Sequence, residues 1–213
     1  IKDRKSLPAG CKIEHLDGGY LTPGFVDLQV NGGGGVMFND DQTLQTLEVI
    51  SQAHCRLGTY TFLPTLITDT QARSQAAIDA VAMAIEKGVP GIAGIHLEGP
   101  HLSIARKGVH EPSLIRSMSD TDLNMIADAT QRLPNVMLTV APESVTIPQT
   151  QTLAQAGVIV SLGHTNADYD TCMAYMAAGA RNTTHLFNAM SQLGRRNPGL
   201  VGANLDSGDV SAS

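Results

Sequence analysis

Glu98, His164 and His185 have the types and the positions to hold a metal ion. Glu98 closes the run 94–98 just ahead of Gly99-Pro100, His164 closes the run 158–163, and His185 closes the run that follows. One complete β/α repeat, residues 163–184, separates the two histidines. The imidazoles therefore take equivalent positions on adjacent strands, whose backbones run about 4.8 Å apart. One carboxylate and two imidazoles, with a position left for water, make a catalytic zinc set, whereas a structural zinc site is closed. A lone His or Glu at a strand end is ordinarily a hydrogen-bonded structural residue; several at successive ends point to an ion. Gln29 and Asn31 are spaced i, i+2 at the end of an earlier run and point to one face. Two histidines there would read as ligands of a second ion, but neutral amides are weak zinc donors, so one divalent ion per chain is expected. The same amides are equally suited to hydrogen-bonding the loop 32–35. His110, in the loop 106–110 after Glu98, is placed either to line a pocket or to sit in solvent. The segment 186–199 brings backbone N–H groups and the guanidinium pair Arg195 and Arg196 beside the same centre. A guanidinium fork suits phosphate, although on a surface loop the pair is as readily a solvated one.

Such a site needs strands that end together. Short β-type runs alternate with helical stretches, the order that favours a parallel sheet covered by helices. Strands are predicted at residues 24–30, 60–63, 92–97, 136–141, 158–162 and 182–184. Helices are predicted at 42–57, 69–87, 120–131, 148–156 and 168–178, the second capped by Asp69 or Thr70 and closed by Gly88. The fold class is α/β: residues 23–213 form an incomplete (β/α)8 TIM-type barrel with about six units where closure takes eight. Functional groups in that architecture stand at the C-terminal ends of strands, where Glu98, His164 and His185 fall. Residues 12–16 and 20–21, about a turn at 17–19, read as two short antiparallel strands, and residues 1–22 as the remnant of a small β-domain. Residues 210–213 read as the start of a further strand, so the natural protein is expected to be longer at both ends.

An apolar share of 42% and a charged share of 16% fit an ordinary globular domain. The net charge of −6 is built from scattered acids and bases, with no basic stripe for a nucleic-acid backbone. The apolar stretch 76–85 is too short to span a bilayer, and the basic residues at 1–5 are not followed by an apolar run, so no membrane partner is expected and the protein reads as cytoplasmic. Cys11, Cys55 and Cys172 are odd in number and far apart, which makes them free thiols rather than a disulfide or thiolate metal set.

Five blocks stand in order: Pro23-Gly24-Phe25-Val26-Asp27-Leu28-Gln29-Val30-Asn31-Gly32, Leu63-Pro64-Thr65-Leu66-Ile67-Thr68, His96-Leu97-Glu98-Gly99-Pro100, Gly163-His164-Thr165-Asn166-Ala167 and Thr184-His185-Leu186-Phe187-Asn188-Ala189-Met190. Together, over nearly the whole chain, this pattern resembles the N-acetylglucosamine-6-phosphate deacetylase family of the amidohydrolase superfamily, barrels of the metal-dependent hydrolase kind. The resemblance implies that Glu98, His164 and His185 bind one divalent ion, usually zinc, with an attacking water completing the shell. It implies that His110 contacts the sugar, that Asn188 and the backbone of Ala189 hold the substrate, and that Arg196 binds the phosphate, reaching in from the second subunit of a homodimer. Most amidohydrolases have His-x-His on the first strand; Gln29-x-Asn31 departs from that, as in some members of this family, and favours a single metal. The family's catalytic Asp, the general base, is expected beyond Ser213. The activity implied is hydrolysis of N-acetylglucosamine 6-phosphate to acetate and glucosamine 6-phosphate in amino-sugar catabolism. Two alternatives stay open: another amidohydrolase acting on a cyclic amide or dipeptide, and a non-catalytic sugar-phosphate-binding protein.

Overall fold

The computed structural model describes residues 7–213. In chain order the elements are β1 (Phe25–Val30), β2 (Gly32–Gly33), β3 (Val36–Met37), α1 (Leu44–Cys55), β4 (Thr59–Ile67), α2 (Gln71–Glu86), β5 (Ile95–Glu98), α3 (Asp120–Ala129), β6 (Val136–Val140), α4 (Ile147–Gln155), β7 (Ile159–Leu162), α5 (Tyr169–Ala177), β8 (Asn182–Thr183), α6 (Gly199–Asp206) and β9 (Ser211–Ala212). Seven of the strands make one parallel sheet in the order β1-β4-β5-β6-β7-β8-β9. Each strand after β4 lies beside the one before it in the chain, the arrangement that successive β/α crossovers produce. The sheet curls, so that Val26 and Leu28 of β1 face one cavity together with Ile159 of β7. This is the incomplete (β/α)8 barrel expected from the alternation of elements, with β9 in place of the strand anticipated at 210–213.

The helix starts are written in hydroxyls and carboxylates. Thr43, Thr70 and Asp168 accept from the third residue of α1, α2 and α5. Ser119 with Asp122, and Thr146 with Gln149, make reciprocal capping boxes on α3 and α4. Each such cap is worth about 1 kcal/mol. Between helices and sheet lies a continuous apolar core that includes Ile50, Ile78, Ile95, Leu138, Val160 and Leu162. Cys172 is buried within it, whereas Cys11 and Cys55 are exposed, and all three are free.

Two expectations are corrected. Residues 12–16 and 20–21 form no strands; they are exposed and irregular, because a two-stranded ribbon without a third strand or a packed helix beside it is marginal in water. The part of the proposed small β-unit at residues 1–6 lies outside the described residues. The strand predicted at 60–63 extends through Pro64 to Ile67. A proline is tolerated there because the β1–β4 register is irregular between Asp27 and Val30, so its missing N–H interrupts no regular ladder.

Candidate metal centre

Glu98 ends β5. His96 and Glu98 point to the inside of the sheet, as residues two apart on a strand must, and Ile95 and Leu97 point to the core under the helices. At Gly99 the backbone takes φ +85°, and a Cβ there would lie 2.4 Å from Thr68 Oγ1. Only glycine allows the chain to leave β5 so close to the end of β4. His164 and His185 leave β7 and β8 with φ of 47° and 37°, and Phe187 and Ala189 follow at 75° and 49°. Left-handed conformations cost non-glycine residues roughly 1–2 kcal/mol each, so four of them in one place must be held by their surroundings. The braces are visible. Ser103 N–H donates to the His164 carbonyl, Leu186 N–H to the Ser213 carbonyl, Asn188 N–H to the His185 carbonyl, and Ser191 N–H to the Thr165 carbonyl. Glu143, just past β6, accepts from Thr165 Oγ1 at 2.6 Å and from Asn166 N at 2.8 Å, clasping the turn after His164.

Three atoms meet at the centre. His164 Nε2 is 3.2 Å from Glu98 Oε1, His185 Nε2 is 3.1 Å from the same oxygen, and the two Nε2 atoms are 3.0 Å apart. Protons decide what these contacts mean. His164 Nδ1 lies 2.8 Å from the Arg106 carbonyl and His185 Nδ1 lies 3.1 Å from the Asn188 carbonyl. A carbonyl only accepts, so both rings carry their proton on Nδ1 and, when neutral, turn a lone pair inward. Two imidazole lone pairs and a carboxylate oxygen then converge without a donor between them. A proton or a cation has to lie there, and the separations are close to the ~3.3 Å edge of a tetrahedron of donors ~2.0 Å from zinc. The donor set fits that ion.

His110 also reaches the centre: its ligand atoms, with those of Glu98 and His164, lie within 4.8 Å of one another. Its proton is disposed differently. The Thr68 amide at 3.4 Å and the Thr68 hydroxyl at 2.7 Å both face His110 Nδ1, which leaves the hydrogen on Nε2, aimed toward Glu98 Oε2 at 3.7 Å. His185 thus turns an unprotonated Nε2 toward Glu98, whereas His110 turns an N–H toward it. The His110 ring packs edge-on against His164 at 4.5 Å between centroids. Burial, with the neighbouring His164 charge second, pushes the His110 pKa down to about 4, so it is neutral at pH 7. Burial opposes ionisation of Glu98, yet the bonds from His164 and His185 overcome it and hold the carboxyl below its usual range. Burial likewise lowers His185, but the bond to Glu98 outweighs it and the net shift is upward. Without a cation, a proton is what relieves the contact.

Gln29 is more closely engaged than the other first-strand amide. Its Nε2 donates to Glu98 Oε2 at 3.0 Å, while Asn31 is half-buried and its carbonyl accepts from Phe38. Asn188 gives its carbonyl to His185, Ala189 is half-buried in the same strained turn, and Arg196 stands exposed on the loop before α6. Thr68, Arg106 and Glu143 escaped the reading of the sequence. Thr68 follows directly on the end of β4 and Glu143 stands three residues past the end of β6, close to the signal that marks Glu98. Arg106 acts through its carbonyl, which no residue type announces.

The sequence profile described as "Amidohydrolase family" matches residues 20–206. The chain is 51% identical over 188 residues to an N-acetylgalactosamine-6-phosphate deacetylase of Shewanella sp. (strain ANA-3), covering 88% of this chain and 47% of that protein. It is 41% identical over 202 residues to an N-acetylglucosamine-6-phosphate deacetylase of Haemophilus influenzae, covering 94% and 52%. The crystal structure of N-acetylglucosamine-6-phosphate deacetylase from Pasteurella multocida superposes with a TM-score of 0.91 at 37% identity, over 98% of this chain and 55% of that one. The chain thus spans about half the length of the relatives it matches.

Proposed function

Because this chain belongs to the amidohydrolase family, we propose that the protein hydrolyses the acetamide of N-acetylglucosamine 6-phosphate, releasing acetate and glucosamine 6-phosphate in amino-sugar catabolism. The convergence of Glu98 Oε1 with the unprotonated nitrogens of His164 and His185 is the observation that supports it. We take the ion suited to that set to be one zinc per chain, which supplies the Lewis acidity that polarises an amide carbonyl and makes water nucleophilic near neutral pH. Glu98 contributes the single anionic donor, and Gln29 fixes its second oxygen. His110 offers Nε2–H to an oxygen of the sugar or its acetyl group. Asn188 and the Ala189 backbone hold the substrate, and Arg196 binds its phosphate, acting across a homodimer. The general base is an aspartate expected beyond Ser213. It takes the proton of the water and returns it to the departing amine. We also take the protein to be cytoplasmic; among the described residues no helix is long and apolar enough to cross a membrane.

The galacto epimer is a second reading, favoured by the 51% identity to an N-acetylgalactosamine-6-phosphate deacetylase. Acetate release by the intact protein should be measured with both 6-phosphates and with unphosphorylated N-acetylglucosamine, before and after chelation, alongside metal analysis. The proposal requires one tightly held metal per chain, loss of activity on chelation, and a preference for a 6-phosphate; the faster epimer names the substrate. Binding without acetate release would establish a non-catalytic protein instead.

A further inference from the structure

One layer below the candidate ligands the inside of the sheet is polar, where barrel interiors are ordinarily filled by Val, Ile and Leu. Asn182 Nδ2 donates to Ser161 Oγ at 3.0 Å, Ser161 Oγ lies 2.6 Å from Thr184 Oγ1, and Thr184 Oγ1 lies 2.7 Å from Thr139 Oγ1. Thr139 Oγ1 is 2.7 Å from His96 Nε2, and His96 Nδ1 is 2.9 Å from the Leu28 carbonyl. His96, Thr139, Ser161 and Thr184 are fully buried.

The direction of every bond follows from its two ends. The Leu28 carbonyl can only accept, which puts a proton on His96 Nδ1 and makes Nε2 of the neutral ring an acceptor. Thr139 must then donate to His96, Thr184 to Thr139, Ser161 to Thr184, and the Asn182 amide to Ser161. Each hydroxyl donates once and accepts once. A doubly protonated His96 would reverse the hydroxyls and leave the Ser161 proton without an acceptor in the chain. A buried polar network satisfied in a single way specifies geometry, whereas one with a missing member is costly.

The chain runs through the strands that carry the centre. Thr184 precedes His185; His96 stands two residues before Glu98 on the same face; and Leu28 precedes Gln29, which holds Glu98 Oε2. Thr139 and Ser161 are register partners on β6 and β7, although neither β6 nor Ser161 supplies a ligand. We propose that this one-way chain is the positioning layer of the metal centre, fixing β1, β5, β7 and β8 relative to one another at the ligands' ends, with Thr139 as its middle link. It thereby sets how tightly metal is held. The inference rests on the reading of Glu98, His164 and His185 as ligands.

The test compares zinc dissociation constants, by chelator competition on the intact protein, with the melting temperature of the metal-free form. Thr139→Val keeps the shape and removes the hydroxyl; Thr139→Ser keeps the hydroxyl. Thr150→Val is the control, deleting a buried hydroxyl on α4 that donates to the Thr146 carbonyl. Removing a partner bonded directly to a ligand weakens metal binding by roughly 10- to 100-fold; Thr139 bonds to His96 and Thr184 and to no ligand, so a loss of about 10-fold, at the low end of that range, is expected for Thr139→Val, with recovery in Thr139→Ser and unchanged affinity in Thr150→Val. The visible spectrum of the cobalt-substituted protein should shift in Thr139→Val alone. Zinc held as tightly by Thr139→Val as by wild type, or weakened equally by Thr150→Val, would overturn the proposal. Should Thr139→Val fail to fold, Ser161→Ala removes a neighbouring link, and unchanged zinc affinity there overturns it as well. Wild-type protein that takes up no zinc would refute the ligand reading itself, a result seen before any variant is made.

Discussion

Arg196 stands on an exposed loop, on the chain segment that follows His185, and this position suits a guanidinium that meets a substrate rather than one that packs. Charge-assisted hydrogen bonds are worth about 1.5–3 kcal/mol each, so a bidentate phosphate contact corresponds to roughly 10²–10⁴ in kcat/KM. Arg196→Ala should impose that loss with the 6-phosphate and little with the unphosphorylated sugar. An unchanged preference for the phosphorylated sugar would move the role to Arg195 or elsewhere. At this scale the sequence was most legible where chemistry resides in the side chain. Glu98 ends β5, His164 and His185 stand two residues past the ends of β7 and β8, and the structure brings their donor atoms within 3.2 Å of one another. The partners that fix their protons were not legible, because the carbonyls of Arg106 and Asn188 belong to the backbone and any residue could supply them. The engagement of Gln29 with Glu98 spans 69 positions in sequence and needed the sheet to reveal it.

Among the elements, β5, β6 and β7 were readable as short runs of four or five residues, β6 and β7 apolar but for one hydroxyl each and β5 alternating apolar residues with His96 and Glu98, each followed by a turn at the site. What the pattern could not show were the pieces without a period. The β2–β3 ribbon pairs Gly32 with Met37 and Gly33 with Val36 and stays close to α1, where a Cβ on Gly33 would press on the His54 ring at 3.0 Å. Helix α6 starts at Gly199 directly after Pro198, a pair that reads as a turn, and has no side-chain cap to announce it. Residues 12–21 erred in the opposite direction: two short runs about an Asp-Gly-Gly turn read as a hairpin, but a strand is made by its neighbours. Helix α3 gives an element-scale prediction. Asp122 is buried, and Ser119 donates to it from both its amide and its hydroxyl while Arg116 pairs with its other oxygen at 2.5 Å. Burial works against ionisation, but these bonds prevail and lower its pKa. A depressed carboxylate contributes its stability in full above its unfolded pKa of about 3.9 and loses it as pH falls through the folded value. Asp122→Asn should therefore cost about 1 kcal/mol at neutral pH and flatten the acid limb of the stability curve below about pH 4, as read by denaturant titration. An acid limb that parallels wild type would show that the box does not hold its charge.

At the scale of the whole molecule, the sheet has two borders unpaired among the described residues, β1 and β9. Near the first of them Phe25, Val26 and Tyr60 are 71%, 65% and 76% exposed. An apolar border strand with free N–H and C=O groups is a template for pairing with another chain. The 213-residue chain, expressed by itself, is expected to self-associate in a concentration-dependent way, and Val26→Lys, which places a charge on that border, should reduce it in light scattering. A monodisperse monomer at high concentration would contradict this. The polar layer beneath the metal centre has a consequence of another kind, in time. Hydroxyl protons normally trade with water too fast to be followed, but those of Thr139, Ser161 and Thr184 are sealed from solvent and each is already committed to one acceptor. They can leave only when the strand ends part. Their lifetimes, counted from persistent hydroxyl resonances at neutral pH, would be a clock for the opening of the barrel mouth, one that starts from inside the protein and keeps running whether or not substrate is present.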